Sequence, residues 1–88
     1  MTVEVRLAPL LHSYTQGASV VRAQGGTVAE VLDDLDRQYR GIRFRLVDEQ
    51  DRLRPHMRLF VNGADSRDVG QALADGDEVF IVGALSGG

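Results

Sequence analysis

Residues 73–88 read Leu-Ala-Asp-Gly-Asp-Glu-Val-Phe-Ile-Val-Gly-Ala-Leu-Ser-Gly-Gly. Asp75-Gly76 is a turn signal. The residues after it, Glu78 to Val82, alternate as a strand. Val79 and Ile81 fall on one face, and Phe80 and Val82 on the other. From Val79 to Gly88 no side chain is charged, and the sequence closes on Ser86-Gly87-Gly88. Glycine is common in this chain, so a terminal pair arises by composition about once in 80. Taken alone the pair is therefore weak, and a frayed end accounts for it.

Upstream lies the helix that such a strand would pack beneath. Gly25-Gly26 breaks the chain, and Thr27 with Glu30 forms the pattern of a capping box. Val28, Val31, Leu32, Leu35 and Tyr39 follow at helical spacing and define one apolar stripe. Arg37 and Arg40 stand near the C-terminal end, where they favour the helix dipole. A helix over about 28–40 is expected, with Gly41 as its left-handed C′ residue. Before it, Val3, Val5 and Leu7 alternate as a strand that Pro9 stops. Leu10 to Gly17 reads as a turn and Ala18 to Ala23 as the return strand of an antiparallel hairpin.

After the helix, Ile42, Phe44, Leu46 and Val47 are expected to form a short irregular or 3₁₀ turn over one end of the core. Asp48 to Pro55 is polar and reads as a loop. A third strand runs from about Met57 to Asn62, with Leu59 and Val61 on one face and Phe60 on the other. Asn62-Gly63 is a turn, and Val69 to Ala74 is expected to make one helical turn. The predicted order is β-β-α-β-β with one main helix and short helical turns. That is an α+β domain over 1–83, with a flexible tail at 84–88.

The 88 residues suffice for one core. With no cysteine, disulfides and thiolate sites are excluded. His12 and His56 are isolated, so no metal site is expected. All ten basic residues are arginine, which removes lysine-dependent phosphate loops and Schiff bases. No catalytic residue is assigned and no bound cofactor is expected. Seven arginines fall within 37–58 against three acids, a run read as a solvated helix end and loop. Aromatics are not interleaved with it, so no nucleic-acid partner is expected. No apolar run approaches membrane length, and the N-terminus alternates instead of presenting a signal-peptide core. A cytoplasmic protein is expected.

The closing segment LADGDEVFIVGALSGG resembles the signature of the ubiquitin-like sulfur carriers: a turn, an apolar strand, then Gly-Gly. The resemblance extends through FVNG at 60–63, DEQDRLRPH at 48–56 and GGTVAEVLDDL at 25–35, nearly the whole chain. That family comprises the small molybdopterin-synthase subunit and the thiamin- and cysteine-pathway carriers, and it implies a β-grasp fold. It also implies that a ubiquitin-activating-like partner adenylates Gly88 with ATP, and that sulfide or a persulfide then converts it to a thiocarboxylate. Gly87 and Gly88 suit a narrow active-site channel because they carry no side chain. Residues 84–88, extended, would reach about 17 Å into it. A chain without thiols or ε-amines offers no internal nucleophile to such an acyl group, although arginine-rich codon usage explains the same composition.

In that family the sheet face near the tail docks on the activating enzyme and on the sulfur-acceptor enzyme. Carried over, Phe60, Phe80, Val82 and Leu85 are the interface candidates. One departure is Gly83-Ala84, where related carriers often have proline, which would leave the free tail looser. Three other readings stay open on the residues: a molybdopterin-synthase small subunit, a protein modifier joined through Gly88 to lysines, and an adaptor with an incidental Gly-Gly.

Overall fold

A computed structural model describes residues 1–83. Its elements are β1 (Thr2–Leu7), a 3₁₀ helix (Pro9–Tyr14), β2 (Val20–Gln24), α1 (Val28–Gln38), α2 (Ile42–Leu46), β3 (Met57–Val61), β4 (Ala64–Ser66) and β5 (Glu78–Gly83). The strands form one mixed sheet in the order β2-β1-β5-β3-β4. β5 lies parallel to β1 on one side and antiparallel to β3 on the other. Among the described residues no helix is long and apolar enough to cross a membrane.

The period-2 pattern places the core. In register, Val5 lies beside Val79 and Leu7 beside Ile81, while Leu59 and Val61 flank the same two β5 residues from the other side. All six are buried, as are Val28, Val31, Leu32 and Leu35 of α1, and together they form one cluster. Leu11 of the 3₁₀ helix and Ile42 and Leu46 of α2 are also fully buried in it.

The start of α1 accounts for each of its first amide groups. Thr27 has extended torsions, and its hydroxyl accepts from the Glu30 amide at 3.2 Å. Glu30 reaches back to the Gly26 amide at 2.7 Å, one residue earlier than the Thr27 amide of a standard capping box. The Val28 and Ala29 amides donate to the carbonyls of Gln71 and Val69 at 3.0 and 2.7 Å. Gly25 sits in the tight approach below: a Cβ there would lie 2.7 Å from the Val31 nitrogen and 2.9 Å from the Glu30 carbonyl carbon. The side chains of α1 also close the free edge of β2. Asp34 accepts from the Gln24 amide and Gln38 donates to the Arg22 carbonyl, each at 2.9 Å.

Four expectations are corrected. Val69 to Ala74 is not a helical turn; Val69-Gly70 make a tight turn closed by the Gln71 amide on the Asp68 carbonyl, and Ala72 then bridges Thr27, because the segment's carbonyls supply the acceptors that α1 needs. Ala64–Ser66 is an additional short strand that pairs with β3 across the Asn62-Gly63 turn. Residues 42–46 form a short α-helix, and Phe44 within it is 69% exposed and does not cover the core. Gly41 is left-handed as expected, but it precedes α2, since α1 already ends at Gln38.

The turn that launches β5 is tied down at both ends. Asn62, left-handed at φ 50°, accepts from the Glu78 amide at 2.9 Å and donates to Asp77 at 3.0 Å. Asp77 also accepts from the Ala74 amide at 2.8 Å. Asp75 accepts from the Thr2 amide at 2.9 Å, and the Gly76 amide donates back to the Thr2 carbonyl at 2.8 Å. The FVNG and Asp-Gly-Asp segments, remote in sequence, thus form one polar clamp that sets the register of β5 between its neighbours.

Asn62→Ala is expected to cost about 1–3 kcal/mol, through two lost hydrogen bonds and a left-handed alanine; urea unfolding measures it. Gly25→Ala should cost about 1–3 kcal/mol because its neighbours are backbone atoms that cannot yield. The Asp77 carboxyl is held below the usual 3.8, first by the Ala74 amide and then by Asn62. A folded-state pKa below the unfolded one contributes stability above the unfolded value, and that stability is lost as pH falls through the folded one. Asp77→Asn should therefore lose less melting temperature than the parent chain between about pH 5 and pH 3. An equal loss would remove Asp77 from the acid response.

Candidate functional site

The alternation that buries Val79 and Ile81 turns their neighbours outward. Phe80 is 38% exposed, and Phe60 and Val82 are half-buried on the same outer face. Phe60 and Phe80 are direct cross-strand partners with ring centroids 6.2 Å apart and planes tilted by 38°. Such a pair holds two aromatic rings at fixed positions on a rigid sheet. Val82 lies opposite Arg58, the next outward residue of β3.

Charged groups rim this apolar centre. Arg58 pairs with Asp65 at 2.8 Å, and its guanidinium carbon lies 5.9 Å from the Phe60 ring centroid. Arg6 donates to Glu78 at 3.1 Å and lies 3.6 Å from Glu4. Exposed pairs of this kind add little stability. Their effect is to leave the centre uncharged while giving its border both signs.

Three of the four interface candidates, Phe60, Phe80 and Val82, are therefore brought together. The fourth, Leu85, and the terminal Gly87 and Gly88 lie outside the described residues, as does the whole tail 84–88. The sequence reading missed Val20, which is 43% exposed beside Arg6, itself opposite Phe80. The signal was present: adjacent valines at 20 and 21 in one strand must face opposite sides.

Gly83 marks the last described residue of β5. It lies opposite Met57, at a position that alternation turns inward. A Cβ at Gly83 would come within 2.3 Å of Leu10 Cδ2. The bare glycine thus lets the 3₁₀ helix pack against the root of the tail. This is a local reason for glycine where proline was expected from the resemblance.

The histidines do not meet. His12 donates through Nε2 to the Leu7 carbonyl at 2.8 Å and so packs the 3₁₀ helix onto β1. His56 is half-buried near Tyr14 and Arg54. Among the described residues, no three His, Asp or Glu side chains are grouped to hold a metal ion.

With this geometry, the relatives can be set beside the chain. The ThiS family model matches residues 8–88. The sulfur carrier protein CysO of Mycobacterium tuberculosis (strain ATCC 25618 / H37Rv) is 38% identical over 93 residues, covering 100% of both chains. A chain in the crystal structure of the Amycolatopsis orientalis BexX/CysO complex superposes with a TM-score of 0.89 and 35% identity, covering 98% of this chain and 99% of that one. SAMP1 from Haloferax volcanii superposes with a TM-score of 0.84 and 27% identity, covering 100% of both. The mixed sheet with its crossing helix is the β-grasp arrangement, and the chain belongs to the ThiS family of ubiquitin-like sulfur carriers.

Proposed function

We propose that the protein carries sulfur as a thiocarboxylate on Gly88 and serves as a co-substrate with no catalytic activity of its own. The observation that supports this best is the full-length likeness to a sulfur carrier, in a chain whose last strand holds the centre of the sheet. A free carboxylate is a poor electrophile. An adenylating enzyme would join the Gly88 carboxylate to AMP from ATP and release pyrophosphate. Sulfide would then displace AMP directly and leave a C–S bond where a C–O bond had been; a persulfide would displace AMP to give an acyl disulfide, whose S–S bond a thiol must reduce to free the thiocarboxylate. ATP on this reading is bound by the activating partner, and this chain holds no cofactor.

The outer face around Phe60, Phe80 and Val82 is the docking surface for the activating enzyme and for the sulfur-acceptor enzyme, with Leu85 extending it along the tail. Neither nucleic acid nor membrane is required, and the chemistry fits the cytoplasm. The likeness to CysO favours the cysteine-pathway branch over the molybdopterin one. The likeness to the Haloferax modifier SAMP1 favours a second reading, in which Gly88 is transferred to lysines of other proteins.

Intact mass separates the two. After incubation with ATP, a cognate adenylating enzyme and sulfide, the chain should gain about 16 Da, one oxygen exchanged for sulfur. Unchanged mass with a competent enzyme contradicts the carrier reading, and lysine adducts support the modifier. Deleting Gly88 should abolish the gain while circular dichroism and melting stay unchanged. Phe80→Ala should cost only about 1 kcal/mol of stability, the value of a partly exposed aromatic pair. Its affinity for the adenylating enzyme should fall by about 30-fold. A destabilised variant that binds normally would remove Phe80 from the interface.

A further inference from the structure

The arginine-rich run is not uniformly neutralised. Arg37, Arg43, Arg52 and Arg58 each pair with a carboxylate. Among the described residues, Arg40, Arg45 and Arg54 have no carboxylate within ion-pair distance. Two of these three flank the exposed ring of Phe44. The Arg54 guanidinium carbon stands 4.7 Å from the Phe44 ring centroid, and its Nε donates to the Phe44 carbonyl at 2.8 Å. With Tyr14, Arg45 and His56 they line a cleft of about 330 Å³.

This cleft is distinct from the outer sheet face. α2 buries Ile42 and Leu46 against the core, on the helix side of the sheet, and turns Phe44 away from it. The cleft is nevertheless close to the tail. His56 precedes Met57, and Met57 lies opposite Gly83, so the cleft borders the end of the sheet from which residue 84 departs. Among the described residues, no carboxylate lines this cleft; Asp48 and Glu49 lie in the adjoining cleft on the far side of Phe44 and Arg54. The Arg45–Arg54 side, with a fixed aromatic at its edge, complements a segment of opposite charge that also brings an apolar side chain.

We propose that this cleft is a second docking surface, and that it takes an acidic, partly apolar segment of the enzyme that receives the tail. The identity of that enzyme rests on the carrier reading; the preference for an acidic peptide rests on the cleft alone. The carrier thereby grips its enzyme at two places near Gly83: apolar contacts at Phe60–Phe80 and charge contacts at Arg45–Arg54. Nucleic acid fits less well, because one ring offers no series of stacking platforms. A lipid surface fits less well, because a single exposed apolar side chain gives no insertable face.

The test titrates the full isotopically labelled chain with a short synthetic peptide of Glu, Asp and Leu, and in parallel with poly-uridine and with phosphatidylglycerol vesicles. Salt-sensitive amide shifts with the peptide at Phe44, Arg45, Arg54 and His56, absent in Arg45→Glu, are expected. Shifts centred on Phe80 instead, no shifts, or an equal response to poly-uridine or vesicles would overturn the proposal. Arg45 is exposed and makes no side-chain hydrogen bond among the described residues, so its reversal should leave folding intact; Arg54→Gln is the second variant. With the adenylating enzyme, Arg45→Glu should raise the KM for the carrier by about tenfold at unchanged kcat. An unchanged KM overturns the second docking surface while the carrier reading stands. Turnover that survives deletion of Gly88 overturns the carrier reading, and the peptide titration still decides the cleft.

Discussion

The last strand of the chain is the middle strand of its sheet, and the rest of the structure depends on that placement. β5 is hydrogen-bonded on both sides, to β1 in parallel and to β3 in antiparallel register. With β2 antiparallel to β1 and β3 antiparallel to β5, β2 and β3 run in the same direction on opposite sides of the β1–β5 pair, so the chain between them crosses the sheet, and α1 lies in that connection. That constraint explains why α1 lies where it does. It also explains why the polar clamp of Asn62, Asp75 and Asp77 matters: a slip of one residue in β5 would turn Phe80 and Val82 into the core and expose Val79 and Ile81. The chain therefore passes beyond Gly83 from a strand paired on both sides.

The same alternation divides the labour between the two faces of the sheet. Val79 and Ile81 are fully buried beneath α1 and need no partner protein. Phe60, Phe80 and Val82 are supported from behind by that core and so present a fixed surface outward. On the helix side, α2 spends Ile42 and Leu46 on the core and leaves Phe44 in solvent beneath Arg54. On the proposed reading, stability and recognition use neighbouring residues of the same elements, and a substitution at Phe80 and one at Ile81 should then have different consequences.

Elements with a local signature were legible in the sequence. Val3, Val5, Leu7 and Val79, Ile81 carry a strict period of two, and Val28 to Leu35 a helical one, so strands, helix and the outward placement of Phe60 and Phe80 follow from spacing. What escaped was set by distant partners. Val69 to Ala74 has helical spacing, yet its carbonyls are claimed by the amides of Val28 and Ala29, a demand that is not visible in the segment itself. β4 is only three residues long and exists because β3 lies beside it. Phe44 reads as a core residue by type, but the inward positions of its helix are already filled by Ile42 and Leu46. The packing reason for glycine at 83 was also out of reach of the sequence, since the space it frees is occupied by Leu10 from the 3₁₀ helix.

The central claim is that this anchored strand delivers one specific atom, the Gly88 carboxyl carbon, for loading with sulfur. Fragmentation of the C-terminal peptide after incubation with ATP, the adenylating enzyme and radiolabelled sulfide tests it most directly. The account predicts label on the fragment that contains Gly88 alone, released when the sulfur acceptor is added. Label on any other residue, or a fully folded chain that takes up none from a competent enzyme, would contradict it.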